Sequence, residues 1–150
     1  MAIGLLALMV ASIFFGAAFY VNVVEHPARL ALDDKAALAE WKPAYKRGTA
    51  MQAPLAILGF VLGLVAWRLT AHAGFLIGAL AMIAPWPWTL LVIKAVNDRL
   101  LATEADRAGP ASRALLVRWG GLHAVRTALS AIAVIAFLLA LSLGAGGPVQ

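Results

Sequence analysis

Two histidines and an arginine stand where an apolar chain would not ordinarily keep them. His26 falls in the run Glu25-His26-Pro27, and His123 and Arg126 fall within RWGGLHAVRT, residues 118–127. Imidazole exchanges a proton near neutral pH, so each histidine is a candidate general base. His26 is the first candidate. Pro27 favours extended geometry at the residue before it, which would end a helix there and let the ring turn inward; His123 is the second. Arg126, Asn97 and the amide of Gln52 are groups that stabilise an oxyanion in a dry site. Tyr45 and tryptophans such as Trp88 and Trp119 can hold a flat aromatic ring. This set suits removal of a proton from an acidic carbon beside a phenolic carbonyl. The electron-rich anion so formed can react with O2 without a metal. His26 and His123 with Glu25 also resemble a two-histidine, one-carboxylate iron set. Adjacent residues point about 100° apart on a helix, so Glu25 and His26 fit that set poorly; haem or a transition metal on His26 and His123 is the alternative to a cofactor-free site. Serine–histidine–acid order, a Gly-rich phosphate loop and a zincin pair are not readable.

Composition says what must position these residues. The chain has 150 residues, 63% hydrophobic and 13% charged, against about 25% charged in a soluble domain. Mean hydropathy is +0.90. Such a chain predicts a single integral membrane domain over residues 1–150. There is no cysteine, which excludes disulfides and thiolate chemistry. All charged residues but Arg126 lie in stretches between apolar runs, so the net charge of +5 argues for membrane-protein loops and against a nucleic-acid partner.

Four runs reach the ~20 residues needed to cross a bilayer: about 2–24, 49–67, 73–93 and 122–143. The expected fold is all-α, a four-helix transmembrane bundle. A short amphipathic helix is expected in the loop between spans 1 and 2, capped by Asp33 or Asp34 and running to Trp41, with Pro43 in the first turn of the next helix. Gly-Ala-Gly-Gly-Pro after Leu143 reads as a helix stop. Gly59 with Gly63, and Gly74 with Gly78, permit close packing, within the bundle or in a homo-oligomer. Pro85 and Pro87 in PWPWT should kink span 3, either as a structural bend with Trp86 and Trp88 filling space or as one that widens the cytoplasmic half of the bundle into a cavity lined by those indoles. Arg29, Lys35, Lys42, Lys46 and Arg47 lie in one loop and Lys94, Arg99, Arg107, Arg113 and Arg118 in another; only Arg68 lies on the other side. The positive-inside rule then predicts an inner-membrane protein with both termini outside.

Polar residues from all four spans share one depth: Glu25 and His26; Tyr45, Gly48 and Gln52; Asn97; and Trp119, His123 and Arg126. Each alone has an ordinary explanation, such as Arg126 snorkelling to lipid phosphate. An ionisable group within a span costs about 2.5–3.5 kcal/mol or more, so convergence from four helices favours a site.

EHP at 25–27, WKPAYKRGTAMQAP at 41–54, PWTLLVIKAVNDRL at 87–100 and RWGGLHAVRT at 118–127 resemble the anthrone oxygenase-like family of small four-span membrane proteins. The resemblance runs from about Gly16 to Leu141. It implies a helical bundle, no established cofactor, and a hydrophobic aromatic, anthrone- or phenol-like substrate oxidised with O2 by a monooxygenase. The family's polar positions carry over as His26, Trp41, Tyr45, Arg47, Gln52, Asn97 and Arg126. Lys94 departs from the apolar residue or proline expected there. The readings from other classes are a small membrane transporter, an assembly partner, and a haem-, metal- or quinone-binding redox protein.

Overall fold

Inside a bilayer every backbone N–H and C=O must be satisfied within the segment, and a helix does this. The computed structural model describes residues 1–144, and they are helical almost throughout. Four helices are long and apolar enough to span a membrane: α1, Ala2–Leu30; α2, Asp34–Thr70; α3, Ala73–Ala102; and α4, Pro110–Gly144. Each packs on its neighbours in the ring α1–α2–α3–α4. No strand occurs among the described residues. Leu5, Ile13, Phe19, Leu58, Leu91 and Leu139 point outward, the pattern of a chain solvated by lipid. The expected stop after Leu143 lies mostly outside the described residues.

All four helices exceed the expected spans, and prolines explain two of the differences. Pro27 does not end α1. His26 is helical, at φ −68° and ψ −42°, not extended as expected. Pro27 has no N–H to give, and the turn before it, Val21–Glu25, widens so that His26 N–H bonds to Val21 O, five residues back. The expected short helix before span 2 is likewise absent as a separate element. Asp33 does cap, accepting from Ala36 N–H at 2.9 Å. The helix then continues through Pro43 and Pro54 to Thr70. Leu38 and Trp41 on its inner face are fully buried, and Lys42 Nζ reaches the carbonyls of Leu101 and Thr103 at 3.1 and 2.6 Å. These contacts hold the helix across Pro43, where one backbone bond is lost. Pro85 and Pro87 interrupt α3 at Ala84, and a second widened turn follows at Thr89–Ile93.

The small residues serve packing within the bundle. A Cβ at Gly59 would meet the Met82 methyl at 2.6 Å, and one at Gly63 would meet the Phe137 ring at 2.8 Å. Phe14, Phe75, Met82 and Phe137 fill the apolar half. Trp41, Leu100, Leu116 and Trp119 fill the half nearer the charged loops. Arg113 closes that end, pairing with Asp34 and donating to Leu30 O at 2.8 Å.

Candidate functional site

The widened turn in α1 brings Asn22 onto α4. Asn22 Nδ2 donates to Gly120 O at 3.0 Å, which fixes Oδ1 as the acceptor. Thr127 Oγ1 donates to that oxygen at 2.6 Å, and His123 Nδ1 bonds to it at 2.8 Å. The proton of neutral His123 therefore sits on Nδ1, and Nε2 keeps the lone pair. Among the described residues no group is bonded to Nε2.

His123 lines a cavity of about 360 Å³ between α1, α2 and α4, within the roughly 300–1,000 Å³ of small-molecule sites. Trp41, Tyr45, Gln52, Trp119 and Arg126 share its wall, with Glu25, Arg29, Arg47 and Gly48. Tyr20 and Met51, both exposed, also border it. Trp41 stacks on Tyr45 at 4.9 Å between ring centroids, Trp119 meets Trp41 edge-on at 5.9 Å, and His123 stacks on Trp119 at 4.8 Å. This wall is aromatic and rigid. A Cβ on Gly48 would meet nothing within 4 Å, so that residue leaves the cavity open.

Donors face the same space. Arg126 Nη2 donates to Gln52 Oε1 at 2.7 Å, which leaves the Gln52 amide N–H groups free. Arg126 Nε and Trp41 Nε1 are buried without a partner among the described residues. The Tyr45 hydroxyl oxygen accepts from Asn97 Nδ2 at 3.2 Å, so its O–H can point into the cavity. Asn97 is buried and not in the cavity wall. Its Oδ1 accepts from Trp119 Nε1 at 3.0 Å, so it sets the orientation of Tyr45 and Trp119 together.

His26 lies behind this wall. Its ring sits 5.2 Å from Trp119 on centroids, and its Nδ1 accepts from Arg29 Nη1 at 3.1 Å. A Cβ on Gly120 would come within 2.5 Å of its Cδ2 and Nε2. Trp88 is also outside the cavity wall; its indole donates to Leu122 O at 3.0 Å and ties α3 to α4. Lys94 points outward and pairs with Asp98 at 2.6 Å.

Sequence reasoning missed Asn22 and the depth of Arg29. Arg29 is 2% exposed, paired with Glu25 and Glu40, with its guanidinium 5.9 Å from the Trp119 ring centre. The i, i+4 spacing of Glu25 and Arg29 was a readable sign of that pair. Asn22 gave only its polarity within an apolar run. No cluster of three or more His, Asp or Glu side chains is placed to hold a metal ion among the described residues. At the opposite end a cavity of about 440 Å³ is walled by Ile3, Leu69, Phe75 and Leu141. His72 there accepts from Gly74 N–H as a helix cap, and no comparable polar set converges.

The fold and the cavity define a class: a multi-pass four-helix membrane protein with an aromatic, hydrogen-bonding pocket at its charged end. Within that class the chain belongs to the anthrone oxygenase family, whose model matches residues 41–136. That stretch includes Trp41, Tyr45, Gln52, Trp119, His123 and Arg126; Asn22, Glu25, His26 and Arg29 precede it. No curated protein and no solved structure matches the chain.

Proposed function

We propose that the protein is a membrane-embedded monooxygenase that oxidises an anthrone- or phenol-like carbon acid with O2, using no resident cofactor. One observation carries this reading. His123, held by Asn22 with Nε2 free, shares a cavity with Arg126, Gln52 and Tyr45. A base and an oxyanion-binding set are thus on the same wall. The family membership supports the choice of substrate class.

The chemistry follows from those positions. A flat substrate lies beside Trp119 and Tyr45, the latter backed by Trp41, with its carbonyl oxygen toward Arg126 and Gln52. His123 Nε2 removes a proton from the methylene carbon conjugated to that carbonyl through the ring system, which in an anthrone lies across the central ring from it. Negative charge moves onto the oxygen, where the donors stabilise it. The carbanion gives one electron to O2, and the resulting radical and superoxide combine into a C–O bond. The imidazolium returns its proton to the peroxide, which loses water to leave a new carbonyl. One O2 is consumed, and CH2 becomes C=O plus H2O.

The test is conversion of 1,8-dihydroxyanthrone by purified protein in nanodiscs under 18O2. Label in the new carbonyl, at a rate above empty nanodiscs, is the expected result. No acceleration over empty discs would remove the oxygenase reading. A Soret band in the purified protein, or activity lost to chelator, would replace the cofactor-free mechanism with a haem or metal one.

The orientation belongs to the same proposal. Ten of the basic residues lie in the stretches nearest the cavity end, so that end faces the cytoplasm of an inner-membrane protein. A reporter fused after Gln150 is expected to be active outside; cytoplasmic activity would turn the cavity to the other face.

A further inference from the structure

Among the described residues no carboxylate pairs with the Arg126 guanidinium. Each ion pair among the described residues has another owner: Glu25 and Glu40 on Arg29, Asp34 on Arg113, and Asp98 on Lys94. Arg126 has only the neutral Gln52 oxygen and the face of Phe14, 5.8 Å from its ring centre. Its Nε is buried with no partner among the described residues. A guanidinium does not shed its proton in proteins. An uncompensated one within a span is costly and marks a site by default.

The space around it is shaped for a ligand on two sides of α2. The cavity between α1 and α2 and a smaller cleft of about 180 Å³ between α2 and α3 both reach Tyr45, Thr49, Gln52 and Arg126. These four residues form the partition between the two spaces. Pro85, Trp86 and Thr89, at the interrupted part of α3, wall the smaller cleft. Arg47, the other arginine of the larger cavity that is in no ion pair among the described residues, is exposed.

We propose that this partition is an anion receptor: the cavity takes a flat aromatic monoanion, ionised before it binds, with its carboxylate or phenolate oxygens on Arg126. The proposal rests on the aromatic-substrate reading above but concerns ground-state binding and needs no turnover. Arg126 presents two or more N–H groups to a bidentate acceptor. The free amide of Gln52 and the hydroxyl of Tyr45 add neutral donors. The aromatic wall of Trp119 and Tyr45, the latter backed by Trp41, takes the ring. Neutral aromatics of the same shape can accept a hydrogen bond from Arg126 but leave its charge without a counter-charge, and would bind less well.

Three probes separate the possibilities: 2-naphthoate, 2,4-dinitro-1-naphtholate (ionised at neutral pH) and the uncharged 2-naphthamide. Binding is measured on the purified protein in nanodiscs of uncharged lipid, with empty discs subtracted. At least one anion is expected to bind roughly 10- to 100-fold tighter than the amide, the worth of a hydrogen-bonded charge. The stronger of the two anions identifies the headgroup chemistry. Arg126→Gln should abolish the preference, and Arg126→Lys should keep part of it. Gln52→Glu keeps the arginine but supplies an internal carboxylate, so it should also abolish the preference. Equal affinity for amide and anions, or a preference that survives both Arg126→Gln and Gln52→Glu, overturns the proposal. Anion preference without 18O incorporation would sustain the receptor and reject the oxygenase.

Discussion

Replacing His123 by glutamine is expected to slow oxidation of 1,8-dihydroxyanthrone about 10²- to 10⁴-fold, the usual cost of removing a general base. Glutamine keeps an uncharged amide of similar reach, but its N–H falls nearer the place of Nε2 than that of Nδ1, which meets Asn22 Oδ1 at 2.8 Å, so the loss includes that of the Asn22 contact. What also disappears is the basic lone pair of Nε2. His26→Gln should have a much smaller effect. That ring is outside the cavity wall, and its Nδ1 already accepts from Arg29. Asn22→Leu should fall between the two, because the ring remains but its tautomer is no longer held. Rates of all three variants in nanodiscs, with retention of the folded protein checked by gel filtration, decide the assignment. A large loss in His26→Gln with none in His123→Gln would reverse it.

The double substitution Glu25→Gln with Glu40→Gln is expected to destabilise the protein by about 3–5 kcal/mol, because it leaves a buried cation without its counter-charges. Arg29 is 2% exposed and has both carboxylates as partners. The Trp119 ring at 5.9 Å, His26 Nδ1 and the new amide oxygens still offset part of the charge, which places the loss toward the lower end of that range. Arg29→Met should cost less. The side chains of Glu25 and Glu40 are 30% and 41% exposed, so they can turn to water once the arginine is gone. Detergent-denaturation midpoints followed by tryptophan fluorescence measure both. Equal stability of the double variant and the parent, or a greater loss in Arg29→Met, would contradict this account of the network.

The four helices and their common polar end were readable because lipid leaves few alternatives. A long apolar run must satisfy its own backbone, and helical spacing then fixes which polar residues share a face. Tyr45, Gln52, Trp119, His123 and Arg126 were found this way, and they line one cavity. Helix continuity through Pro27 and Pro43 was not readable. The rule for the residue before proline is local, whereas the widened turn at Val21–Glu25 and the burial of Trp41 are properties of the packed bundle. The same turn aims Asn22 at His123, a contact 101 residues apart in sequence. Arg29 looked like one more basic loop residue until α1 extended far enough to bury it. Asn97 was visible as polar, but its two bonds to Tyr45 and Trp119 depend on the spacing of three helices.

In the proposed chemistry His123 removes a proton from carbon in this cavity. This step is tested most directly without oxygen, by following exchange of the methylene hydrogens of 1,8-dihydroxyanthrone into D2O under anaerobic conditions, with protein-containing and empty nanodiscs side by side. The protein is expected to accelerate exchange, and His123→Gln is expected to abolish most of the acceleration. Exchange no faster than in empty discs, while the same preparation still consumes the substrate with O2, would contradict this step.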